Sequence, residues 1–469
     1  MSRLLCVCVA VGTALLAGVS ALAQPVITMV TAQGRPTAGG AMLQIQGTNF
    51  GGAPVARMGG VAMTILGVGG GGNTLIAQTV AGQGTVSVTV EDGAMVSNSV
   101  QYTYDGPRLF SISPPSGSVA GGGTMAIQGE NFGTSATVTI GGAVAPSAGA
   151  QTHTQVMVTV PGGVGTNRAV VVTVAGQSSF SSLAYSYDAP FITSISPDSG
   201  PTAGGTVMTI GGFNLGLAGG GAGTPAVSVG GVAAPVVSVS PASVQVTVPA
   251  GAGTGRAVSL TVGGQTTPPG LAFSYNPPLI NTVSPISGPT AGGQLMTIDG
   301  GNFGPSAPTV TIGGAACAVQ SSSHTSITAL TPAGQGSRPL VVTVAGQTSP
   351  GGWSYFYDAP FITGISPVYG PAEGGAPLII DGQNFGTAPS VTVGGLAATI
   401  VSQTHTRIVC TTPVRAASNL VAPVRVSVGG QLSNLSNYVF SCGSDANHNG
   451  VSNVTDIFDF LNGWFGGVR

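Results

Sequence analysis

One pattern recurs five times between residue 25 and about residue 440, at a spacing near 82 residues. Each copy opens on a proline and a short apolar run, as in Pro190-Phe191-Ile192-Thr193-Ser194-Ile195-Ser196-Pro197. A Pro/Thr/Ala-Gly-Gly turn and an apolar strand follow, and then Asn-Phe-Gly or a close variant. The asparagine of that last element is Asn49, Asn131, Asn214, Asn302 and Asn384, at intervals of 82, 83, 88 and 82 residues. The register therefore holds except for one insertion. Solenoids and propellers repeat every ~20–50 residues, because each unit leans on its neighbours for a core. A period this long makes each copy a domain.

Composition agrees with strands rather than disorder. Glycine fills 78 of 469 positions, yet hydrophobic residues reach 42% and the apolar runs are rich in valine and isoleucine. Disordered chains lack such residues, since they cannot offset the entropy of ordering. Here the glycines punctuate strands, as in an all-β protein with many tight turns. Charged residues make up only 5%, against ~25% in ordinary soluble domains. All 11 basic residues are arginine, the net charge is -2, and no basic cluster occurs. That excludes the electrostatic footprint of nucleic-acid binding and a polybasic patch for an anionic membrane.

The fifth copy shows the strand pattern most plainly. Phe361 to Ile365, Leu378 to Ile380 and Ser390 to Val393 read as strands, the last alternating with period two. Tyr369 to Gly375 is a turn in which glycine supplies positive φ. Asp381-Gly382-Gln383-Asn384-Phe385-Gly386 is a second turn, with an aromatic placed to plug the core. Ala398 to Val401, Ile408 to Cys410, Val424 to Val428 and Tyr438 to Phe440 complete about seven strands. Seven short antiparallel strands in ~80 residues suit a two-sheet sandwich of immunoglobulin-like type.

The order Ser-Pro, Gly-Gly, apolar-x-Gly-x-Asn-Phe-Gly, Val-x-Ile-Gly-Gly, Thr-Pro resembles the IPT/TIG domain, an immunoglobulin-like module. The resemblance implies a string of five such sandwiches over residues 25–106, 107–189, 190–277, 278–359 and 360–441. It implies function only loosely, because one fold hosts many functions. Receptor members of the family often bridge a cysteine after the Gly-Gly to one before the Thr-Pro. This chain splits the pair: Cys317 follows Gly313-Gly314 in the fourth copy, and Cys410 precedes Thr412-Pro413 in the fifth. The alternatives are a bridge from Cys410 to Cys442 and free buried thiols.

Few residues invite a catalytic reading. His153, His324 and His405 recur at one position, but the equivalent stretch holds Asn73 in the first copy and Pro241-Ala242-Ser243 in the third. Turn residues are favoured over a repeated metal ligand. Arg168, Arg256 and Arg338 recur nine residues before a glutamine. They are either a row of contacts for an extended ligand or solvated residues at strand starts, and the second reading is preferred. Asp105, Asp188, Asn276 and Asp358 sit in Tyr-(Asp/Asn)-x-Pro junctions, as turn caps do. Catalysis needs a nucleophile, base and orienting group, or a carboxylate pair, brought together in a cleft. The 13 acidic residues are scattered at turns, and no nucleophile elbow, HExxH helix or phosphate loop stands out, so no enzyme is expected.

The two ends differ from the repeats. Residues 1–23 read as a secretory signal, with Arg3, an apolar stretch Leu4 to Leu16 that contains Cys6 and Cys8, and a small-x-small site at Ala21-Leu22-Ala23. No later run approaches the ~18 apolar residues of a membrane-spanning helix. Residues 442–469 hold a stretch with the spacing of a twelve-residue calcium loop. Its Ca2+ ligands would be Asp445, Asn447, Asn449, the Val451 carbonyl, Asn453 and Asp456, with Gly450 at the sharp turn. A helix follows whose stripe includes Phe458, Leu461, Trp464 and Phe465. Loop plus helix is similar to half of a dockerin, which implies a cohesin-like partner.

Together these features predict a secreted or surface-exposed, non-catalytic rod for adhesion, scaffolding or protein binding, held to a cell-envelope partner by its tail. A carbohydrate-binding accessory role is the alternative. With two tryptophans, Trp353 and Trp464, the chain lacks a recurring aromatic platform for sugars.

Overall fold

The computed structural model describes residues 23–180, 183–219, 221–305, 307–415, 420–441 and 454–466. Residues 1–22, with Cys6 and Cys8, and 442–453, with Cys442 and five of the six proposed calcium ligands, lie outside them. The polypeptide divides into two compact units, one built mainly from the first two repeats and the other mainly from the last three.

The fourth domain represents the rest. One sheet is antiparallel, in the order Leu279–Ser284, Leu295–Gly301, Ser326–Leu330, Ala318–Ser322. The second runs Ser287–Gly288, Ser354–Tyr357, Ser337–Val344, Thr309–Ile312, Ala315–Ala316, with Gln347–Thr348 on its flank. Its first pair is parallel and the others are antiparallel. Burial alternates along Thr309–Ile312 and Ser337–Val344, so Val310, Ile312, Leu340, Val342 and Val344 face inward. They meet Met296, Ile298 and Ile327 of the first sheet, which makes a separate core between the two sheets. The first and fifth domains each have their own core as well.

The expected seven strands of the fifth repeat appear as Phe361–Ser366, Pro377–Gln383, Ser390–Val393, Leu396–Gln403, Arg407–Thr411, Leu420–Val428 and Ser436–Ser441, and two short ones, Tyr369–Pro371 in the segment expected as a turn and Gln431–Leu432, make nine. Its two sheets are continuous, because Leu396–Gln403 pairs with Ser390–Val393 at one end and Arg407–Thr411 at the other. In every domain two rings two residues apart pack edge to face, as do Tyr355 and Tyr357 at 5.2 Å and 75°. Such pairs contribute ~0.5–1.5 kcal/mol beyond the area they bury.

The Asn-Phe-Gly element closes the first sheet onto this core. Its asparagine adopts positive φ in all five domains, 56° to 62°. Asparagine tolerates that region because its short amide bonds locally. Asn302 Nδ2 donates to Pro277 O at 3.1 Å, and Phe303 is fully buried. Two residues before Asn302, at a β-bulge, Gly300 packs so closely that a Cβ would overlap the Leu279 carbonyl oxygen and meet Phe303 Cζ at 2.7 Å.

Burial raises the pKa of several tyrosines and both core cysteines. Tyr102 and Tyr357 are pushed up to about 12, and Cys317 and Cys410 to about 11, with burial the largest cause in each case. Below the ordinary values of 9.0 and 10.0 these groups are protonated whether the chain is folded or not. Above them the unfolded chain releases protons that the folded chain retains, so stability falls as pH rises. Stability should therefore hold to about pH 9 and decline towards pH 12. Tyrosinate absorbance and circular dichroism, followed in one alkaline titration, should change together. Tyrosine ionisation completed at pH 10 with intact ellipticity would contradict this.

Candidate functional sites at the domain ends

The three recurring histidines are not isolated turn residues. Each reaches a threonine in the Thr-Ala-Gly-Gly turn of the domain before it. His153 Nδ1 lies 2.9 Å from Thr37 Oγ1, His324 Nδ1 3.1 Å from Thr202 Oγ1, and His405 Nδ1 3.0 Å from Thr290 Oγ1. The same hydroxyls accept the backbone N–H of Gly133, Gly304 and Gly386, each at 3.3 Å. The threonine N–H donates to Asn131, Asn302 or Asn384 Oδ1 at 3.1 to 3.3 Å. Thr37, Thr202 and Thr290 are at most 1% exposed.

The asparagine of Asn-Phe-Gly thus has two tasks. Nδ2 holds its own domain's entry segment, and Oδ1 holds the preceding domain. Glutamines add further bonds across the same junctions. Gln335 Oε1 accepts from Thr387 and Ala388 N–H at 3.4 and 3.3 Å, and Gln347 Nε2 donates to Tyr275 O at 3.0 Å. In the first two domains Gln83 Oε1 accepts from Thr134 N–H at 3.1 Å, and Gln177 Nε2 donates to Tyr104 O at 3.2 Å.

Histidine and threonine substitute together along the chain. The second domain carries Val119 where the first, third and fourth carry Thr37, Thr202 and Thr290, and the third carries Pro241 at the histidine position. That equivalence is structural, since Pro241 O accepts from Leu215 N–H as His324 O does from Phe303 N–H. This pairing was visible in the sequence. It escaped the repeat-by-repeat reading because each histidine's partner lies 115 to 122 residues away, in another copy.

The recurring arginines sit elsewhere, on the second sheet. Arg168, Arg256 and Arg338 lay their stems across Gly141, Gly230 and Gly313, first glycines of the Gly-Gly turns, whose φ is 58° to 59°. Their Nε donates to Val164 O, Ala252 O and Gln335 O at 2.7, 2.7 and 3.0 Å. Each guanidinium lies near a core tyrosine, Tyr187, Tyr275 or Tyr357, and lowers that tyrosine's pKa against the larger effect of burial. Asp105 does not act as a local turn cap: its Oδ2 accepts from Arg35 N–H at 2.9 Å, which ties the junction to a loop 70 residues earlier.

Cys317 and Cys410 are free, buried thiols; the suggested partner of Cys410, Cys442, lies outside the described residues. In the tail, Val454–Gly466 is a helix. Asp456 is buried at 1% exposure, while Phe458 and Leu461 are exposed at 63% and 39%. Asp445, Asn447, Asn449, Val451 and Asn453 lie outside the described residues, as do the side chains of Trp464 and Phe465. Among the described residues no group of three or more His, Cys, Asp or Glu side chains could hold a metal ion. No described helix is long and apolar enough to cross a membrane.

Two-layer sandwiches with edge-to-face rings and Asn-Phe-Gly closures define a tandem array of immunoglobulin-like domains. The chain belongs to the IPT/TIG domain family, which matches residues 25–104, 107–187, 190–275, 278–357 and 360–441. It is 30% identical over 368 residues to fibrocystin-L of Mus musculus and 27% identical over 376 residues to that of Homo sapiens. Those matches take in 74% and 76% of this chain but only 8% and 9% of the relatives, so the chain spans less than a tenth of their length. Among solved structures it resembles the plexin A4 extracellular region, at 14% identity, 85% of this chain, 48% of that one and TM-score 0.21. A surface glycan-binding protein of Prevotella bryantii matches at 16% identity, 35% of this chain, 41% of that one and TM-score 0.26.

Proposed function

We propose that the chain is a secreted or cell-surface, non-catalytic adhesion or scaffolding protein, attached through its C-terminal segment. The observation that carries this reading is where the polar groups stand. The buried threonines, asparagines and half-buried histidines join one domain to the next and do not converge with a nucleophile. A signal-like start and membership of the IPT/TIG family support an extracellular setting. The helix Val454–Gly466 presents Ile457, Phe458 and Leu461 to solvent, an apolar set suited to docking. In this reading Asp445, Asn447, Asn449, Val451, Asn453 and Asp456 take Ca2+ and order the segment that leads into the helix. With few charged ligands, affinity falls at the weak extracellular end, ~0.1–1 mM.

The test is capture from the native cell envelope by the full chain and by a chain lacking residues 442–469, each with millimolar calcium or chelator. Capture that requires both the tail and calcium is expected. Equal capture by the truncated chain refutes attachment through the tail, and capture indifferent to chelator refutes the calcium role.

A further inference from the structure

The same cleft opens in three successive domains, and each copy contains an arginine without an acidic partner. In the second domain it is lined by Gly141, Gly163, Arg168 and Tyr187, in the third by Gly230, Gly251, Arg256 and Tyr275, and in the fourth by Gly313, Gly334, Arg338 and Tyr357. The volumes are about 330, 260 and 300 Å³, at the small end of ligand-binding clefts. Among the described residues no carboxylate lines any of them. Among the described residues Arg57, Arg108 and Arg407 are ion-paired with Glu91, Glu130 and Asp381, whereas Arg168, Arg256 and Arg338 are not. Their Nε is tied to a carbonyl, which orients the guanidinium, and among the described residues no hydrogen bond holds its terminal N–H groups.

The fifth domain supports a role for the charge itself. There the equivalent of Arg338 is the buried Ala422, as Gly394 N–H bonds Pro423 O where Gly313 N–H bonds Pro339 O. An arginine nevertheless arrives from another place in the chain. Arg415 occupies the position of Gly334, since its N–H bonds Ala372 O as that of Gly334 bonds Thr290 O. It reaches Gly394 O at 2.7 Å and lies over the Phe440 ring at 5.9 Å. A guanidinium beside the Gly-Gly turn and an aromatic ring is thus provided by two different sequence positions.

We propose that these clefts are subsites for the carboxylates of an acidic polysaccharide, one uronate unit per domain; the proposal rests on the adhesive reading above. A planar guanidinium matches a carboxylate in a two-bond fork. Acidic peptide motifs are read by arginines clustered at one site. Here Arg168, Arg256 and Arg338 stand singly, one to a domain, which suits a carboxylate that repeats along a polymer. Each site is small and exposed and binds weakly alone. Repetition once per domain lets a polymer that reaches several sites gain by avidity.

The test uses the full chain with immobilised polygalacturonate, neutral dextran and envelope fragments, and with poly-aspartate or oligogalacturonate as competitor. Binding to polygalacturonate over dextran is expected. The R168A/R256A/R338A chain should lose at least tenfold in apparent affinity while circular dichroism shows it still folded at the assay temperature, and the R168K/R256K/R338K chain should recover part of the loss. Undiminished binding by the alanine chain overturns the proposal, as does wild-type binding no stronger than to dextran. Competition by poly-aspartate equal to that by oligogalacturonate overturns the polysaccharide assignment. Envelope capture that is unaffected by the alanine substitutions leaves adhesion standing and removes the clefts. Arginine-dependent polygalacturonate binding without any envelope capture leaves the clefts and removes adhesion.

Discussion

Gly300→Ala is expected to destabilise the fourth domain by about 3–5 kcal/mol, the upper range for one substitution and a large part of a domain's ~5–15 kcal/mol. The new Cβ would overlap the Leu279 carbonyl oxygen and press on Phe303, so neither a rotamer change nor a flexible neighbour can make room. The pairing of Leu279–Ser284 with Leu295–Gly301 must yield, and the buried phenylalanine with it. Its neighbour Gly301 provides the control. A Cβ there meets nothing within 4 Å, so Gly301→Ala should cost less than about 1 kcal/mol. Thermal unfolding of the two variants decides the matter, and equal effects would contradict the close approach assigned to Gly300.

Thr290→Val is expected to weaken the junction between the fourth and fifth domains by about 1–3 kcal/mol. Valine has nearly the shape of threonine, and Val119 occupies the equivalent position in the second domain. The change therefore removes the hydroxyl without filling or emptying space. It leaves Gly386 N–H and His405 Nδ1 facing a methyl group, and a buried polar group without a partner costs its full desolvation. Thr290→Ser should retain most of the stability. A double-mutant cycle between Thr290→Val and His405→Ala should give a coupling above ~0.5 kcal/mol, since the two groups share a bond. Additive effects would mean that the histidine and threonine act separately.

Most of the fold was legible because its determinants are local. Alternation along Ser390–Val393 marks which residues face the core, and the Gly-Gly pairs mark positive φ at each hairpin. The phenylalanine expected to plug the core in the fifth repeat, Phe385, is fully buried. What failed was local in the wrong place. His153, His324 and His405 are equivalent to one another but far apart, and the partner of each is the threonine one domain earlier. Geometry across a junction leaves no short-range pattern. It leaves joint substitution, here Thr with His in three pairs and Val119 with Pro241. The arginines show the converse. Their recurrence was seen, but only the sheets show that the cleft beside each lacks a carboxylate, or that Arg415 supplies the same group from another position.

Pulling the intact chain end to end in a single-molecule force experiment tests the central claim most directly. Five domains, of which the first, fourth and fifth each show a core of their own, should give five unfolding events, each releasing roughly 270–300 Å of contour for ~82 residues at ~3.3–3.6 Å each. One event releasing the whole chain, or events whose lengths bear no relation to the repeat, would contradict it.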